Sequence, residues 1–343
     1  MVGTGGGRSN TKADMMPEEE EEDGTMVFKL RTSAYSPVRA VVALALWLGA
    51  IHLNLLLLLA SVFFFSRRDA ALVVGTQLFL IFAPVNDTSR LGCNIARFVY
   101  KHALGYFPIT LHVQDYAAFD PNKAYVFGYE PHCAMPLGLW VLAARVGFMP
   151  ITKMKILASS AAFYVPFQRH IWTWLGLTPA SKDNFYSYLG AGYSCAVVPG
   201  GLREMLHMDH EQDSEKIWQV ACIRSRKGFI RIAVQSGCSL VPVFCFGQGH
   251  VYNWWRPGNK ILVSMIRAIK APPIIYWGKF GSPIPFRSPM HVYVGRPIEV
   301  KKINHPTTDE INEVHEKFIM ALQELFNRHK NKAGYPNLQL KVI

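Results

Sequence analysis

Three sets of residues in this chain could carry chemistry, and the first is an imidazole. His132 lies in Tyr125-Val-Phe-Gly-Tyr-Glu-Pro-His-Cys-Ala-Met-Pro136. Tyr125, Val126 and Phe127 favour a strand, and Gly128 and Pro131 end it, so His132 falls in a tight loop just past a buried strand. Open α/β sheets present reactive groups at such strand ends. A lone loop histidine is more often structural, so its weight depends on its company. The second set is Pro199-Gly-Gly-Leu-Arg-Glu204, which follows the apolar run Cys195 to Val198. Gly200 and Gly201 let the backbone approach a ligand and aim N–H groups at an oxyanion or a phosphate. Glu204, one turn later, could orient an imidazole. Taken alone, an ordinary β-turn with a surface Glu explains this stretch better, because short glycine motifs are weak. The third set is Arg224, Arg226, Lys227 and Arg231. Read as helix, Arg224, Lys227 and Arg231 share one face, suited to a phosphate-rich ligand such as coenzyme A or to a membrane surface. A solvated basic face is an equal explanation.

Other candidates carry less. His207 and His210, with Glu211 and Asp213, resemble a metal cluster, but no third His or Cys stands at a ligand spacing. A polar loop explains them, and no metal is expected. Cys133 as a nucleophile beside His132 is disfavoured, because adjacent residues on extended backbone point to opposite sides. No nucleophile elbow, P-loop or dinucleotide fingerprint is present.

The elements that must position these groups follow an α/β pattern from about residue 105. Strands are predicted at Thr110 to Val113, Ala124 to Gly128, Lys155 to Ser159, Cys195 to Val198, Val241 to Phe246 and His291 to Val294. Helices are predicted at Leu137 to Val146, Lys182 to Gly190 and Ile217 to Ser236. A last helix follows the capping box Thr307-Thr-Asp-Glu310, with Ile311, Val314, Phe318, Ile319, Leu322, Leu325 and Phe326 on one stripe. The fold class expected is an N-terminal membrane hairpin followed by an α/β domain with a mostly parallel or mixed sheet.

The chain has 343 residues, half of them hydrophobic, and a formal net charge of +12. Residues 1–25 form an acidic tail expected to be disordered. Removing its seven acidic and two basic residues leaves 34 basic against 17 acidic, a net of +17. Such a body suits anionic lipid or a polyphosphorylated ligand. Nucleic acid is not expected, since no nucleic-acid fold signature appears. The six cysteines form no C-x-x-C pair and read as free thiols in a reducing compartment.

Residues 26–90 are read as the membrane hairpin and 91–343 as the catalytic domain. Val41 to Phe65 is 25 residues without a charge, enough to cross a bilayer core of about 20 residues. Ala70 to Val85 is a shorter apolar run ended by Pro84. A two-pass hairpin with spans near 41–65 and 70–85 is favoured over one span plus a re-entrant segment. It leaves Lys29, Arg31 and Arg39 on the same side as Arg90, Arg97 and Lys101, which puts both flanks in the cytosol. Arg67 and Arg68 in the turn argue against this orientation.

Long ordered blocks from about residue 40 to the C-terminus resemble one family, the type 2 diacylglycerol acyltransferases of plants and algae. They include Gly105-Tyr-Phe-Pro-Ile-Thr-Leu-His-Val-Gln-Asp115, Tyr125 to His132, Arg169 to Pro179, Val198-Pro-Gly-Gly201, Lys227-Gly-Phe-Ile-Arg-Ile-Ala233, Leu240 to Gln248 and Val251-Tyr-Asn-Trp-Trp-Arg-Pro257. The resemblance implies transfer of an acyl group from acyl-CoA to diacylglycerol, with no cofactor. It also implies anchoring in endoplasmic-reticulum membrane lipid, with lipid droplets as a further location. By motif, it marks Glu130-Pro131-His132, Tyr106-Phe107-Pro108, Pro199-Gly200-Gly201 with Glu204, and a neutral-lipid stretch at Phe79, Leu80 and Asn86. Cys133 replaces the usual Ser of the histidine motif. No Asp stands where the His-x-x-x-x-Asp motif of broader glycerolipid acyltransferases carries one, so the partner of His132 is left between Glu204 and Glu130. On this reading His132 is the general base and backbone N–H groups near Gly200 and Gly201 hold the oxyanion. Rival readings are the same chemistry on monoacylglycerol or a fatty alcohol, or a non-catalytic lipid-droplet or membrane protein. A homo-oligomer is compatible with the sequence.

Overall fold

The computed structural model describes residues 17–20, 24–29, 36–208, 218–258, 264 and 272–343. Its centre is a mixed nine-stranded sheet. In chain order its strands are β1 (Pro17–Glu20), β2 (Met26–Lys29), β3 (Ile109–Val113), β4 (Tyr125–Glu130), β5 (Met154–Ala158), β6 (Leu177–Pro179), β7 (Ser194–Val197), β9 (Ser239–Phe246) and β12 (Met290–Val294). Their spatial order is β1-β2-β3-β12-β9-β4-β7-β5-β6. From β9 to β6 every pairing is parallel. β12 runs antiparallel to β9 and parallel to β3, so the first residues of β3 and β12 meet the carboxyl ends of β9, β4 and β7. The six strands expected from the sequence are all present, shifted by a residue or two. Small pairs are made by β8 (Trp218–Ala221) with β13 (Gln339–Val342), and by β10 (Asn253–Trp255) with β11 (Ile275–Trp277).

Alternation along the central strands builds a core on each face. Tyr125, Phe127 and Tyr129 of β4, with Val241, Val243 and Cys245 of β9, pack on one side. They meet α1 (Pro37–Leu48) and α4 (Arg90–Val99) there. Val126, Leu240, Phe244 and Phe246 pack on the other, against α6 (Lys182–Gly190), α7 (Gly228–Ser236) and α8 (Thr308–His329). The remaining α-helices are α2 (Ala50–Phe63), α3 (Arg67–Phe82) and α5 (Gln168–Trp174). The predicted capping box is formed: Thr307 Oγ1 accepts from Glu310 N–H, and Glu310 accepts from Thr307 N–H. α8 lies close on the sheet because Gly128 has no side chain. A Cβ there would come within 2.5 Å of the Phe318 ring.

Two helix expectations are corrected. Leu137 to Val146 is not an α-helix but a 3-10 turn at Leu137–Leu142, buried at every position and so without an amphipathic face. Ile217 to Ser236 is not one helix. Its first part is β8, whose backbone pairs with the C-terminal β13, and α7 begins only at Gly228.

The long apolar run is also not one straight span. It breaks at Gly49 into α1 and α2, bent by 73°. Among the described residues no single helix is long and apolar enough to cross a membrane. The physical reason lies in α1. Ala40, Ala43, Leu44, Trp47 and Leu48 form a stripe buried in the body, with Trp47 edge-on to Trp140 at 4.4 Å. Only glycine fits the bend, since a Cβ at Gly49 would lie 2.5 Å from the Ala45 carbonyl oxygen. β2 and α1 therefore pack with the body and are not part of a separate hairpin. The large apolar side chains of α2 and α3 stay exposed: Val62 is 75%, Phe63 71% and Phe82 74% accessible. Of the acidic tail, Pro17–Glu20 pairs antiparallel with β2, while residues 1–16 lie outside the described residues.

Candidate active site

β4, β7 and β9 are adjacent and parallel, so the loops after them converge at one end of the sheet. β4 delivers Glu130, a cis Glu130–Pro131 bond and His132. β7 delivers Pro199-Gly200-Gly201 and then a 3-10 helix, Gly201–His207, that carries Glu204. β9 delivers Gly247, in the left-handed region at φ 84°, and the buried Gln248. Topology thus brings together the first two sets that the sequence singled out.

His132 is half-buried, and its Nδ1 lies 2.9 Å from the Cys133 carbonyl oxygen. A carbonyl can only accept, so Nδ1 carries the proton and Nε2 keeps its lone pair. Burial holds this imidazole below the usual 6.5, against the Cys133 carbonyl and the Glu204 charge, which both act to raise it. It is therefore a neutral base at physiological pH.

The role expected of Glu204 is corrected. It does not touch the ring. Glu204 Oε2 accepts from the His132 backbone N–H at 2.7 Å, and Oε1 accepts from the Cys222 N–H at 2.8 Å. The carboxylate holds the loop that bears the imidazole, while the Cys133 carbonyl sets the ring. Glu130 is fully buried and its Oε1 accepts from Gly200 N–H at 3.2 Å. Burial first, then the neighbouring Glu204, push its carboxyl well above the usual range. Glu130 is thus held protonated beside Glu204.

The two glycines serve different purposes. Gly200 gives its N–H to Glu130, so that group is not available to an oxyanion as the sequence had suggested. Its lack of a side chain makes room for Glu204, whose Oε1 would stand 1.8 Å from a Cβ. Gly201 adopts φ +55° and opens onto space, with no heavy atom within 4 Å of a Cβ. Gly201 is therefore the remaining oxyanion candidate. Cys133, disfavoured as a nucleophile from the sequence, is not set up as one. It is buried at φ 49°, and burial pushes its thiol far up.

Tyr106, Phe107 and Pro108 lie at the same end of the sheet and act as a brace. Tyr106 Oη donates to the Pro285 carbonyl at 2.7 Å, Arg287 Nε donates to the Tyr106 carbonyl, and Met290 N–H donates to the Pro108 carbonyl. Phe107 is fully buried. The basic set does not form a helical face, because Arg224 to Lys227 precede α7. Arg224 reaches Glu316 at 3.4 Å and Lys227 reaches Asn312 at 2.6 Å, both on α8. Arg231 lies exposed on α7, and Arg226 turns inward. The neutral-lipid stretch is not gathered at this site. Phe79 points outward on α3, Leu80 is half-buried, and Asn86 Oδ1 accepts from Thr88 in a local turn. His207 is exposed and His210 lies outside the described residues.

Sequence reasoning passed over Gln248. Its Nε2 donates to the Pro131 carbonyl at 2.8 Å, and its Oε1 accepts from Gly138 N–H at 2.9 Å and from Tyr129 Oη. It clamps the loop before His132 from the far side. Its one sequence signal is a polar residue just past a strand that ends in glycine.

A diacylglycerol acyltransferase family profile matches residues 61–342. Diacylglycerol O-acyltransferase 2 of Dictyostelium discoideum is 33% identical over 254 residues, covering 69% of this chain and 74% of its own. Diacylglycerol O-acyltransferase 1 of Schizosaccharomyces pombe is 32% identical, covering 68% and 70%. Mouse 2-acylglycerol O-acyltransferase 1 is 31% identical, covering 71% and 76%. Among solved structures, the 1-acyl-sn-glycerophosphate acyltransferase of Thermotoga maritima covers 84% of this chain and 96% of its own. Its TM-score of 0.38 and 13% identity are too low to bear on the fold. A profile spanning most of the chain, together with relatives above 30% identity, shows that this chain belongs to the diacylglycerol acyltransferase family.

Proposed function

We propose that the chain transfers a fatty acyl group from acyl-CoA to the free hydroxyl of diacylglycerol, with His132 as general base. The observation that carries this reading is the tautomer fixed by the Cys133 carbonyl, which leaves Nε2 as a proton acceptor at the joined ends of β4, β7 and β9. Nε2 takes the hydroxyl proton as the oxygen attacks the thioester carbon. The tetrahedral oxyanion is held by backbone N–H, with Gly201 the candidate donor. As the C–S bond breaks, the imidazolium returns its proton to the CoA sulfur. Gly200, Glu130 and Glu204 position the loop and do not contact the reacting atoms. The thioester is already activated, so the scheme uses no metal or cofactor. A positioned base contributes roughly 10²–10⁴-fold. His132→Ala, expressed in a host lacking its own acyltransferases, is expected to lose triacylglycerol synthesis by that factor. Wild-type activity in the variant overturns the role.

A second acceptor has specific support. Relatives named 2-acylglycerol O-acyltransferase match as well as several diacylglycerol enzymes do. Offering membranes labelled acyl-CoA with monoacylglycerol or diacylglycerol separates the two.

We place the enzyme on the endoplasmic-reticulum membrane, both termini cytosolic, with lipid droplets as a related surface. α2 and α3 are about 21 and 24 Å long at 1.5 Å per residue, short of the ~30 Å hydrocarbon core. Their exposed apolar sides support insertion from one face, which keeps the catalytic body at the surface where its lipid substrate lies.

A further inference from the structure

One corner of the molecule holds positive charge that no acidic side chain among the described residues neutralises. Arg226 is partly buried ahead of α7, and its Nε is shut off from solvent with no hydrogen-bond partner. The charge beside it is another cation, Arg203, so its neighbour repels it. Arg203 Nη1 lies 3.5 Å from Ser225 Oγ, which draws Arg203, Ser225 and Arg226 into one group. Among the described residues neither guanidinium has a carboxylate in ion-pair range. α7 starts two residues later with no side chain capping it, so the positive end of its dipole adds to this corner. Like charges gathered around an uncapped helix start, with a guanidinium nitrogen kept from water, form a site short of an anion.

The position narrows the anion. Arg203 is the residue before Glu204, which holds the His132 backbone, and Cys222, the other group that Glu204 holds, adjoins Arg226. The corner therefore sits on the segments that build the reacting centre. Glycerides are uncharged, so of the reactants proposed above only acyl-CoA brings phosphate. Arg224 and Lys227 are tied to α8 and do not share the task.

We propose that Arg203, Ser225 and Arg226 form the phosphate subsite for acyl-CoA, an assignment that rests on the acyl-CoA reading above. A lipid headgroup offers the same chemistry, so the test has an arm for each source. Adenosine 3′,5′-bisphosphate is titrated calorimetrically into the purified full chain in neutral detergent. Arg203→Gln removes an exposed side chain at low risk to folding, and Arg226→Lys keeps charge but loses the guanidinium fork. Arg328→Ala, on the far end of α8, is the control for lost surface charge. Both subsite variants are expected to weaken binding about tenfold to a hundredfold, as loss of charge-assisted hydrogen bonds would. The control is expected to bind as wild type does. The KM for acyl-CoA rises by the same factor with kcat kept. Transfer from acyl-pantetheine, which lacks the nucleotide phosphates, is equal in wild type and variants. Unchanged nucleotide binding in both variants overturns the subsite. So does weakened flotation on phosphatidate-containing vesicles with nucleotide binding intact, which assigns the site to lipid. Nucleotide binding without acyl transfer by wild type defeats the proposed reaction and leaves the subsite standing.

Discussion

A single methyl group at Gly200 is expected to dismantle the active site. Gly200 has an ordinary backbone conformation, φ −66° and ψ −38°, so alanine there meets no backbone penalty. The difficulty is Glu204. A Cβ at position 200 would lie 1.8 Å from its Oε1, 2.3 Å from Cδ and 2.8 Å from Cγ. The carboxylate must leave, and with it go the bonds to His132 N–H at 2.7 Å and Cys222 N–H at 2.8 Å. Each buried donor left unpaired costs about 1–3 kcal/mol, so the variant should lose roughly 2–6 kcal/mol of stability. The His132 loop also loses its anchor, and a displacement of about 1 Å at a catalytic group can cost ~10²-fold in rate. Gly201→Ala is the matched comparison. It has open space around the new Cβ but φ +55°, a strain of about 1–2 kcal/mol. Membranes carrying each variant would be assayed for labelled triacylglycerol, and the purified proteins for thermal unfolding. Gly200→Ala should be the worse of the two in both. A double-mutant cycle adds a stricter check: in a Glu204→Ala background the Gly200→Ala change should cost little more. Full activity in Gly200→Ala, or additive losses in the cycle, would refute the packing argument.

Two pH predictions come from the buried acids and bases. Glu130 has a raised folded pKa, so its protonated form is favoured in the native state. Its contribution is complete below the unfolded value near 4.5 and falls away as pH rises through the folded value. Glu130→Gln keeps the size and neutrality of the protonated acid and an oxygen that accepts from Gly200 N–H, and it should remain active. Its stability relative to wild type should grow as pH rises above 4.5; a flat difference in denaturant midpoints across that range would contradict the protonated assignment. His132 is shifted the other way. The acidic limb of kcat/KM should therefore fall below pH 6.5, and an inflection above 6.5 would show that another group limits the reaction.

Much of this architecture is written locally. Alternating or continuous apolar runs ended by Gly and Pro fixed all six predicted strands to within two residues, and the capping box fixed the start of α8. Local pattern failed where a distant segment supplied the partner. Trp218–Ala221 reads as helix until β13, more than a hundred residues later, offers it a strand to pair with. The apolar run from Val41 reads as one span, because nothing local reveals that the stripe of α1 has a core to enter while α2 has none. By itself the sequence determined the residue types and loops of the site: a histidine after a strand, a Gly-Gly turn and an acid one turn on. Only the tertiary structure decided what each does. Glu204 binds backbone and not the ring, Gly200 is small to admit Glu204, and Gln248 closes the clamp, because those contacts exist only once β4, β7 and β9 lie side by side.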